Sequence, residues 1–128
     1  MKTEILKEKY IKYNLTKDDV FKHQHYIIIT RSGIEKIQAL ENIHINYDVI
    51  KCETNFASVK ATAIKDQNTI QTFGSALKGN NFKDGNTNTW YVLEMAEKRA
   101  MSRAVLKLTG FYELGVFGED ESEDFKKK

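Results

Sequence analysis

Proline is absent from the 128 residues of this chain, and cysteine occurs once, as Cys52. A single cysteine excludes an intramolecular disulfide and a cysteine-rich zinc site, so an intracellular, reducing compartment is expected. The longest apolar run, residues 26–29, is far shorter than the roughly 20 residues of a membrane span. The first 13 residues are charged throughout, which argues against a secretory signal. These absences favour a cytoplasmic protein that makes no membrane contact.

The charge is unevenly distributed along the chain. Residues 118–128 carry five acidic and three basic groups, a net charge of −2, whereas the remaining 117 residues carry 17 basic and 13 acidic groups, a net charge of +4. With no repeat or linker-like stretch, this predicts one folded domain over residues 1–117 and a disordered acidic tail over residues 118–128. A basic body suits a polyanionic partner, but many proteins that bind no nucleic acid share so small an excess. The tail is either a solubilising segment, a peptide for a partner protein, or a mimic of DNA that competes for the basic surface.

The first 40 residues predict two helices, a further helical turn and a strand. Residues 2–13 suit a short helix with Ile5, Leu6 and Tyr10 on one side. Thr16 is expected to start the helical turn, which runs through Asp18, Asp19, Val20 and Phe21. Residues 26–30 (YIIIT) are typical of a strand that is apolar on both faces. Ser32 precedes Glu35 by three residues, a capping box that predicts a second helix with an apolar face of Ile34, Ile37 and Leu40.

Strict alternation of apolar and polar residues predicts three more strands, over about residues 43–49, 57–64 and 69–77. The connections are short, and the turn between the second and third of these strands falls at residues 65–68. One polar face on each strand favours an antiparallel meander covered on one side only. The predicted fold class is therefore α+β, with a β-β-β-α core, an additional N-terminal strand and additional helices.

The strongest helix signal runs from about Trp90 to Thr109, with Thr89 as the expected N-cap and Gly110 as the stop. An alanine ridge at i, i+4 and i+8 is expected to lie across the sheet, opposite small residues of the middle strand; these are Ala96, Ala100 and Ala104, facing Ala61 and Ala63. Apolar residues off this ridge predict cover from a second direction, by the N-terminal segment or by a neighbouring subunit.

The predicted sheet has open edges, few charged or proline residues to guard them, and one uncovered face. Five apolar residues after the main helix have little chain left to cover them; they are Phe111, Tyr112, Leu114, Val116 and Phe117. Both features predict a homo-oligomer, either a closed ring or a filament.

A basic row stands beside the alanine ridge. Arg99, Arg103 and Lys107 follow one another at intervals of one helical turn. Such a row beside a groove suits the phosphates of a single strand, with aromatic surface nearby for its bases. Lys60, Lys65, Lys78 and Lys83 are the candidate residues to complete the groove, and Phe73 and Phe82 are the candidate stacking residues. The alternative is a solvated helix face, surface lysines and phenylalanines packed in the core.

Three segments resemble the Rad-fifty-two-type single-strand annealing family and its phage Sak- and Erf-type relatives. Residues 26–33 (YIIITRSG) and the helix after them look like the entry strand and first helix of the family. Residues 64–74 (IKDQNTIQTFG) look like its hairpin and the following strand. Residues 96–110 (AEKRAMSRAVLKLTG) are similar to the helix that phage members write as A-E-T-R-A-x-x-R-A-L. The resemblance covers roughly residues 20–115.

This resemblance implies a ring of subunits that binds single-stranded DNA in a basic groove and anneals strands in recombination and repair, within the host cytoplasm for a phage protein. It assigns DNA contact to Arg103, and either DNA contact or a structural role to Arg99. Ser102 departs from the family, because eukaryotic members carry a second basic residue there. The contact is then expected to be weaker or to shift to Lys107. The alternative is an oligomeric protein-interaction module with the same fold and no DNA role.

Enzymatic motifs are lacking. Gly79 and Gly85 do not form a phosphate-binding loop, and no hydrolase or kinase motif appears. His23 and His25 have the spacing of two ligands on a strand, but no third ligand accompanies them. We therefore expect no catalytic residue, no metal and no cofactor.

Overall fold

The computed structural model describes residues 2–23, 26–79 and 84–119. Within these ranges it contains three α-helices and six strands in two sheets. In chain order they are α1 Lys2–Lys12, β1 Val20–His23, β2 Tyr26–Ile29, α2 Arg31–Glu41, β3 His44–Cys52, β4 Phe56–Lys65, β5 Asn68–Leu77, α3 Val92–Leu108 and β6 Val116–Gly118. The α+β class predicted from the sequence is confirmed.

The larger sheet consists of β3, β4 and β5, each antiparallel to the next. Every second residue of β4 is buried against the interior; these are Ala57, Val59, Ala61 and Ala63. Because successive side chains of a strand alternate between its two faces, the intervening residues and their cross-strand partners form the opposite face, called here the open face. It includes Phe56, Ser58, Lys60, Thr62, Gln71, Phe73 and Ser75.

Helix α3 lies across the interior face of this sheet, as the alanine ridge predicts. Ala96 and Ala100 are fully buried in one apolar cluster with Ala57, Ala61 and Val92. The helix is shorter than predicted, since it begins at Val92 and Tyr91 occupies the N-cap without a side-chain hydrogen bond. The expected N-cap, Thr89, instead donates its backbone N–H to Thr87 Oγ1. Gly110, with a φ of 81°, follows the last turn, so the predicted stop is confirmed.

The second sheet differs from the expectation of one extra strand. β1 pairs antiparallel with β2, and β6 pairs parallel with β2 on its other side. The predicted helical turn through Phe21 is wrong, because Val20 and Phe21 are strand residues paired with Ile29 and Ile28. The tertiary pairing with an apolar strand outweighs the local helix signal here.

Asp19, just before β1, is buried and holds three segments together. Its Oδ2 accepts hydrogen bonds from the backbone N–H of Thr16 at 2.9 Å and from Lys36 Nζ of α2 at 2.6 Å. Its backbone oxygen accepts from Thr30 N at 2.8 Å. The Lys36 ammonium lowers the pKa of the Asp19 carboxyl below its ordinary 3.8, an effect that burial opposes and the bonds from Thr16 reinforce.

The start of α2 corrects the capping prediction. Thr30, and not Ser32, is the N-cap, and its side chain accepts a hydrogen bond from Gly33 N. Ile34 and Ile37 are buried as predicted, whereas Leu40 is exposed. Helix α2 therefore starts two residues earlier than the serine–glutamate pair indicated.

Cover for the outer side of α3 comes from the chain itself. Val105 and Leu106 are buried in a cluster with Ile34, Phe111 and Val116. The expectation that the segment after α3 lacks cover is therefore wrong for Phe111 and Val116, and Tyr112, Leu114 and Phe117 are half-buried. The cover arises because the chain reverses at Gly115 and returns as a strand beside β2.

No helix in the described part of the chain is long and apolar enough to cross a membrane.

Candidate nucleic-acid interface

Arg99 is a buried bridge between α3 and the edge of the larger sheet. Its side chain projects past β5, and the residue is 2% exposed. Nη1 donates to Ser75 O at 2.8 Å, and Nη2 donates to Asn86 O, also at 2.8 Å. The guanidinium therefore satisfies backbone carbonyls and is buried. These contacts favour a structural role for Arg99, the other reading of the resemblance.

Ser102 faces the second sheet, away from β5. It is fully buried, and a Cβ added to Gly118 of β6 would lie 2.8 Å from Ser102 Cβ. A lysine or arginine at position 102 would have to displace β6. The absence of a basic residue at this position therefore follows from the packing of this chain.

Arg103 lies one turn beyond Arg99, at the border between the helix and solvent. Its Nη1 donates to Phe73 O at 2.6 Å. Since Ser75 O accepts from Arg99, two alternate carbonyls of β5 are held by two arginines one helical turn apart. Arg103 is less buried than Arg99. Arg103 is accordingly the arginine of the row whose position suits contact with a ligand.

The same edge is closed further along by Asn86. Its Oδ1 accepts from Leu77 N at 2.7 Å, and its Nδ2 donates to Ser75 O at 3.2 Å. Side chains thus occupy the edge positions that a neighbouring strand would use. The expectation of an open sheet edge is wrong for β5, because side chains of α3 and of the segment before α3 bind its backbone groups.

The open face carries a cation and an aromatic ring side by side. Lys60 of β4 is the cross-strand partner of Phe73 of β5, a residue that is 52% exposed. Asp48 of β3 is the partner of Lys60 on its other side, which partly offsets the positive charge. Lys60 therefore lies on the face opposite α3, while Arg103 reaches the β5 edge from the helix side. Phe73 links the two, because its carbonyl binds Arg103 and its ring lies on the open face.

Two more of the predicted lysines, Lys65 and Lys107, lie away from the open face. Lys65 has the register of the interior face, and its Nζ lies 3.7 Å from Glu41 Oε2 and 3.5 Å from Asp66 Oδ2. It therefore lies on the opposite face of the sheet from Lys60. Lys107 is exposed on α3, one turn beyond Arg103.

Lys78 directly follows β5 and contacts an aromatic residue that was not predicted to belong to the site. Its Nζ lies 4.5 Å from the ring centroid of Trp90. Trp90 is 63% exposed and Tyr91 is 67% exposed, directly before α3. The predicted helix included Trp90. The sequence feature that could have indicated an exposed aromatic pair is the position of two large aromatic residues after a polar, glycine-rich segment.

The other edge strand of the larger sheet is β3, which within the described residues pairs only with β4. Tyr47, Val49 and Ile50 are exposed along it, and a bulge interrupts its register between Val49 and Lys51. Burial and the nearby Glu97 carboxylate raise the pKa of Tyr47 to about 12, an effect that Arg31 opposes.

Some predicted site residues lie outside the described residues. Phe82 and Lys83 belong to this group, as do His25 and residues 120–128 of the acidic tail. Gly118, which was assigned to the tail, is paired with Ile29 in the second sheet. Across the described ranges, no three His, Cys, Asp or Glu side chains come together as a metal site requires.

Comparison with models of protein families gives no match, and comparisons with curated proteins and with solved structures give none either.

Proposed function

We propose that this chain binds single-stranded DNA and anneals complementary strands, as a non-enzymatic subunit of a phage-type recombination and repair oligomer. The observation that carries the proposal is the pairing of Arg103 and Phe73 at the β5 edge. Arg103 binds the carbonyl of Phe73 at 2.6 Å, while the phenylalanine ring is half exposed on the open face. A cation for phosphates and a ring for bases thus meet at one strand position.

The position of the arginines favours a single strand over a duplex. Helix α3 is covered by the larger sheet on one side and by α2 and β6 on the other. A helix packed in this way cannot enter a major groove and read base edges. A flexible single strand can follow the border between α3 and β5 and turn its bases toward the open face, with little preference for sequence.

The resemblance to the annealing family supports the same function. We propose that β3, β4, β5 and α3 correspond to its β-β-β-α core, with Arg103 in the role of the DNA-contacting basic residue. Lys107 and Lys60 are the additional phosphate contacts of this proposal, and Lys78 is the contact at the far end of β5. Arg99 supports the site by fixing the β5 edge.

Assembly of the chain into a ring or filament is also proposed, through the edge of β3. This edge carries exposed Tyr47, Val49 and Ile50, whereas the edge of β5 is closed by Arg99, Arg103 and Asn86. A head-to-tail contact from the β3 edge to another surface of the next copy is heterologous, and it closes into a ring if the rotation allows. The acidic tail is proposed as a contact for a recombination or replication partner.

The second candidate is a protein-interaction module without a DNA role. The exposed apolar residues of the β3 edge favour it, because they suit β-strand addition by a partner protein. Under this alternative Arg103 serves only to close the β5 edge. Oligonucleotide binding separates the two candidates.

The decisive experiment is a fluorescence-anisotropy titration with single-stranded and duplex oligonucleotides of the same sequence, at two salt concentrations. The proposed function requires tighter binding to the single strand and weaker binding at the higher salt, because phosphate contacts release counterions. Equal or tighter binding to the duplex contradicts it. Light scattering at micromolar concentration tests the assembly separately. A measured mass equal to that of a single chain would contradict the proposed ring.

A further inference from the structure

Trp90 is the only tryptophan of the chain and lies largely in solvent. Tryptophan buries more apolar area than any other side chain when it packs, and proteins rarely leave most of it exposed. Tyr91 beside it is exposed to a similar degree. Two adjacent aromatic residues are therefore presented to solvent at the start of α3, outside both apolar clusters of the domain.

The backbone that presents Trp90 is held in place. Lys78 forms a parallel bridge with Thr87, and Gly79 N donates to Thr87 O at 2.9 Å. Asn86 is bound to the β5 edge through its side chain and to Arg99 through its carbonyl. Thr89 N donates to Thr87 Oγ1 at 3.3 Å. The aromatic pair thus projects from an anchored turn, so ordering it for a ligand costs little conformational entropy.

A cation accompanies the indole. Lys78 Nζ lies 4.5 Å from the ring centroid of Trp90, within the range of a cation–π contact. The occupant that suits an exposed ring with an adjoining ammonium is a planar base attached to a phosphate. An apolar side chain of a protein partner makes no use of the charge.

The pair also continues the proposed DNA track. Arg103 binds the carbonyl of Phe73, and Lys78 follows five residues later, directly after the end of β5. At about 3.3 Å per residue, these two positions are roughly 17 Å apart along β5. A few nucleotides of a single strand span this distance, with Arg103 near one end and Trp90 near the other.

We infer that Trp90 stacks on an unpaired base of the bound single strand, and that Lys78 binds the adjoining phosphate. This inference rests on the proposed function and adds to it a second stacking position, independent of Phe73. It predicts that part of the affinity depends on the bases themselves and not on the backbone alone. Stacking of this kind is sequence-tolerant, because every base offers a flat face.

The fluorescence emission of Trp90 reports directly on the proposed contact. Titration of the full chain with oligothymidine is expected to quench and shift the Trp90 emission, whereas a fully abasic strand of the same length leaves the emission nearly unaltered. Anisotropy with a labelled oligothymidine is expected to show a loss of affinity of about 5- to 100-fold for Trp90→Ala. Trp90→Phe retains most of the affinity, since it keeps a ring. Phe21→Ala, which removes an exposed aromatic residue from β1 of the second sheet, serves as the matched control and binds as the wild type does.

The outcomes separate this inference from the proposed function. If the wild-type chain binds no oligonucleotide, the proposed function fails, and the stacking role fails with it. If the wild type binds, but its emission is unaltered and Trp90→Ala binds equally well, the stacking role alone is overturned. Equal quenching by the abasic strand also overturns it, because the contact then involves the phosphate only. Should Trp90→Ala fail to fold, the emission of the wild type with intact and abasic strands still decides the question.

Discussion

Gly74 of β5 lies directly against the backbone of Ala96 on α3. A Cβ at position 74 would stand 2.3 Å from Ala96 O and 2.5 Å from Ala100 N, distances that no packed structure tolerates. The helix and the strand therefore approach more closely than any side chain at this position permits. The closeness of this contact also brings Arg99 and Arg103 to the carbonyls of Ser75 and Phe73.

Replacement of Gly74 by alanine is expected to destabilise the domain by about 3 kcal/mol, because α3 must move away from the sheet. Urea denaturation measures the change. Ser75→Ala is the matched control, since Ser75 has the register of the open face, and it is expected to alter the midpoint little. An unaltered midpoint for Gly74→Ala would contradict the close contact.

Arg99→Ala is expected to lower the free energy of unfolding by about 3 kcal/mol, because it removes a buried guanidinium together with its hydrogen bonds to Ser75 O and Asn86 O. Arg99→Lys keeps the charge, but an ammonium cannot replace the planar fork that reaches both Ser75 O and Asn86 O, so it recovers only part of the loss. Thermal denaturation of both variants provides the measurement. Wild-type stability with weakened DNA binding in Arg99→Ala would instead assign Arg99 to the binding surface.

Arg103→Ala is expected to weaken binding to single-stranded DNA while costing about 1 kcal/mol of stability or less, since the hydrogen bond from Nη1 to Phe73 O lies at the surface. The slope of log affinity against log salt should become shallower by about 0.7, the value for one lost phosphate contact on a single strand. Lys98→Ala on the same helix makes the same change of charge away from the row and serves as the control. An identical salt slope for Arg103→Ala and the wild type would show that Arg103 makes no phosphate contact.

Asp19 predicts a specific pH dependence of stability. Its pKa is lowered in the folded protein, mainly by the hydrogen bond from Lys36, so the folded state binds the proton less readily than the unfolded state does. The stabilisation is fully present above the unfolded value near 3.8 and is lost as the pH falls through the lower folded pKa. Asp19→Asn removes this contribution and is expected to cost about 1 to 3 kcal/mol near pH 7.

The measurement for Asp19 is denaturation of the wild type and Asp19→Asn across acidic pH. The difference in unfolding free energy between the two proteins should shrink as the pH is lowered below about 4. Glu35→Gln is the control, because Glu35 is an exposed carboxylate on α2. A difference that stays constant with pH would show that the ion pair with Lys36 does not stabilise the fold.

Local patterns predicted most of the regular structure. The alternation in residues 57–64 determines which residues of β4 are buried, because a strand places successive side chains on opposite faces. The alanine spacing from Ala96 likewise predicts the face of α3 that contacts the sheet. Local patterns failed where pairing over long sequence distances outweighs them. Val20 and Phe21 follow an aspartate pair typical of a helix start, yet they form a strand because Ile29 and Ile28 lie opposite.

The candidate site shows the same division. Helical spacing alone placed Arg99 and Arg103 on one side of α3, but it could not distinguish the buried arginine from the accessible one. That difference depends on Ser75 O and Asn86 O, which reach Arg99 from distant parts of the chain. Spacing also grouped Lys60 with Lys65, although strand parity separates them onto opposite faces.

The sequence by itself determined the α+β class, the periodicity of each main element and the presence of a basic row on the last helix, because these depend on neighbours within one or two turns. Only the tertiary structure decided which edge of the larger sheet is closed, which arginine is buried and what covers the outer side of α3. Each of these depends on segments far apart in the chain: the turn before α3 against β5, and β6 against β2. Hydrogen bonds and packing between such segments leave no periodic pattern in the sequence.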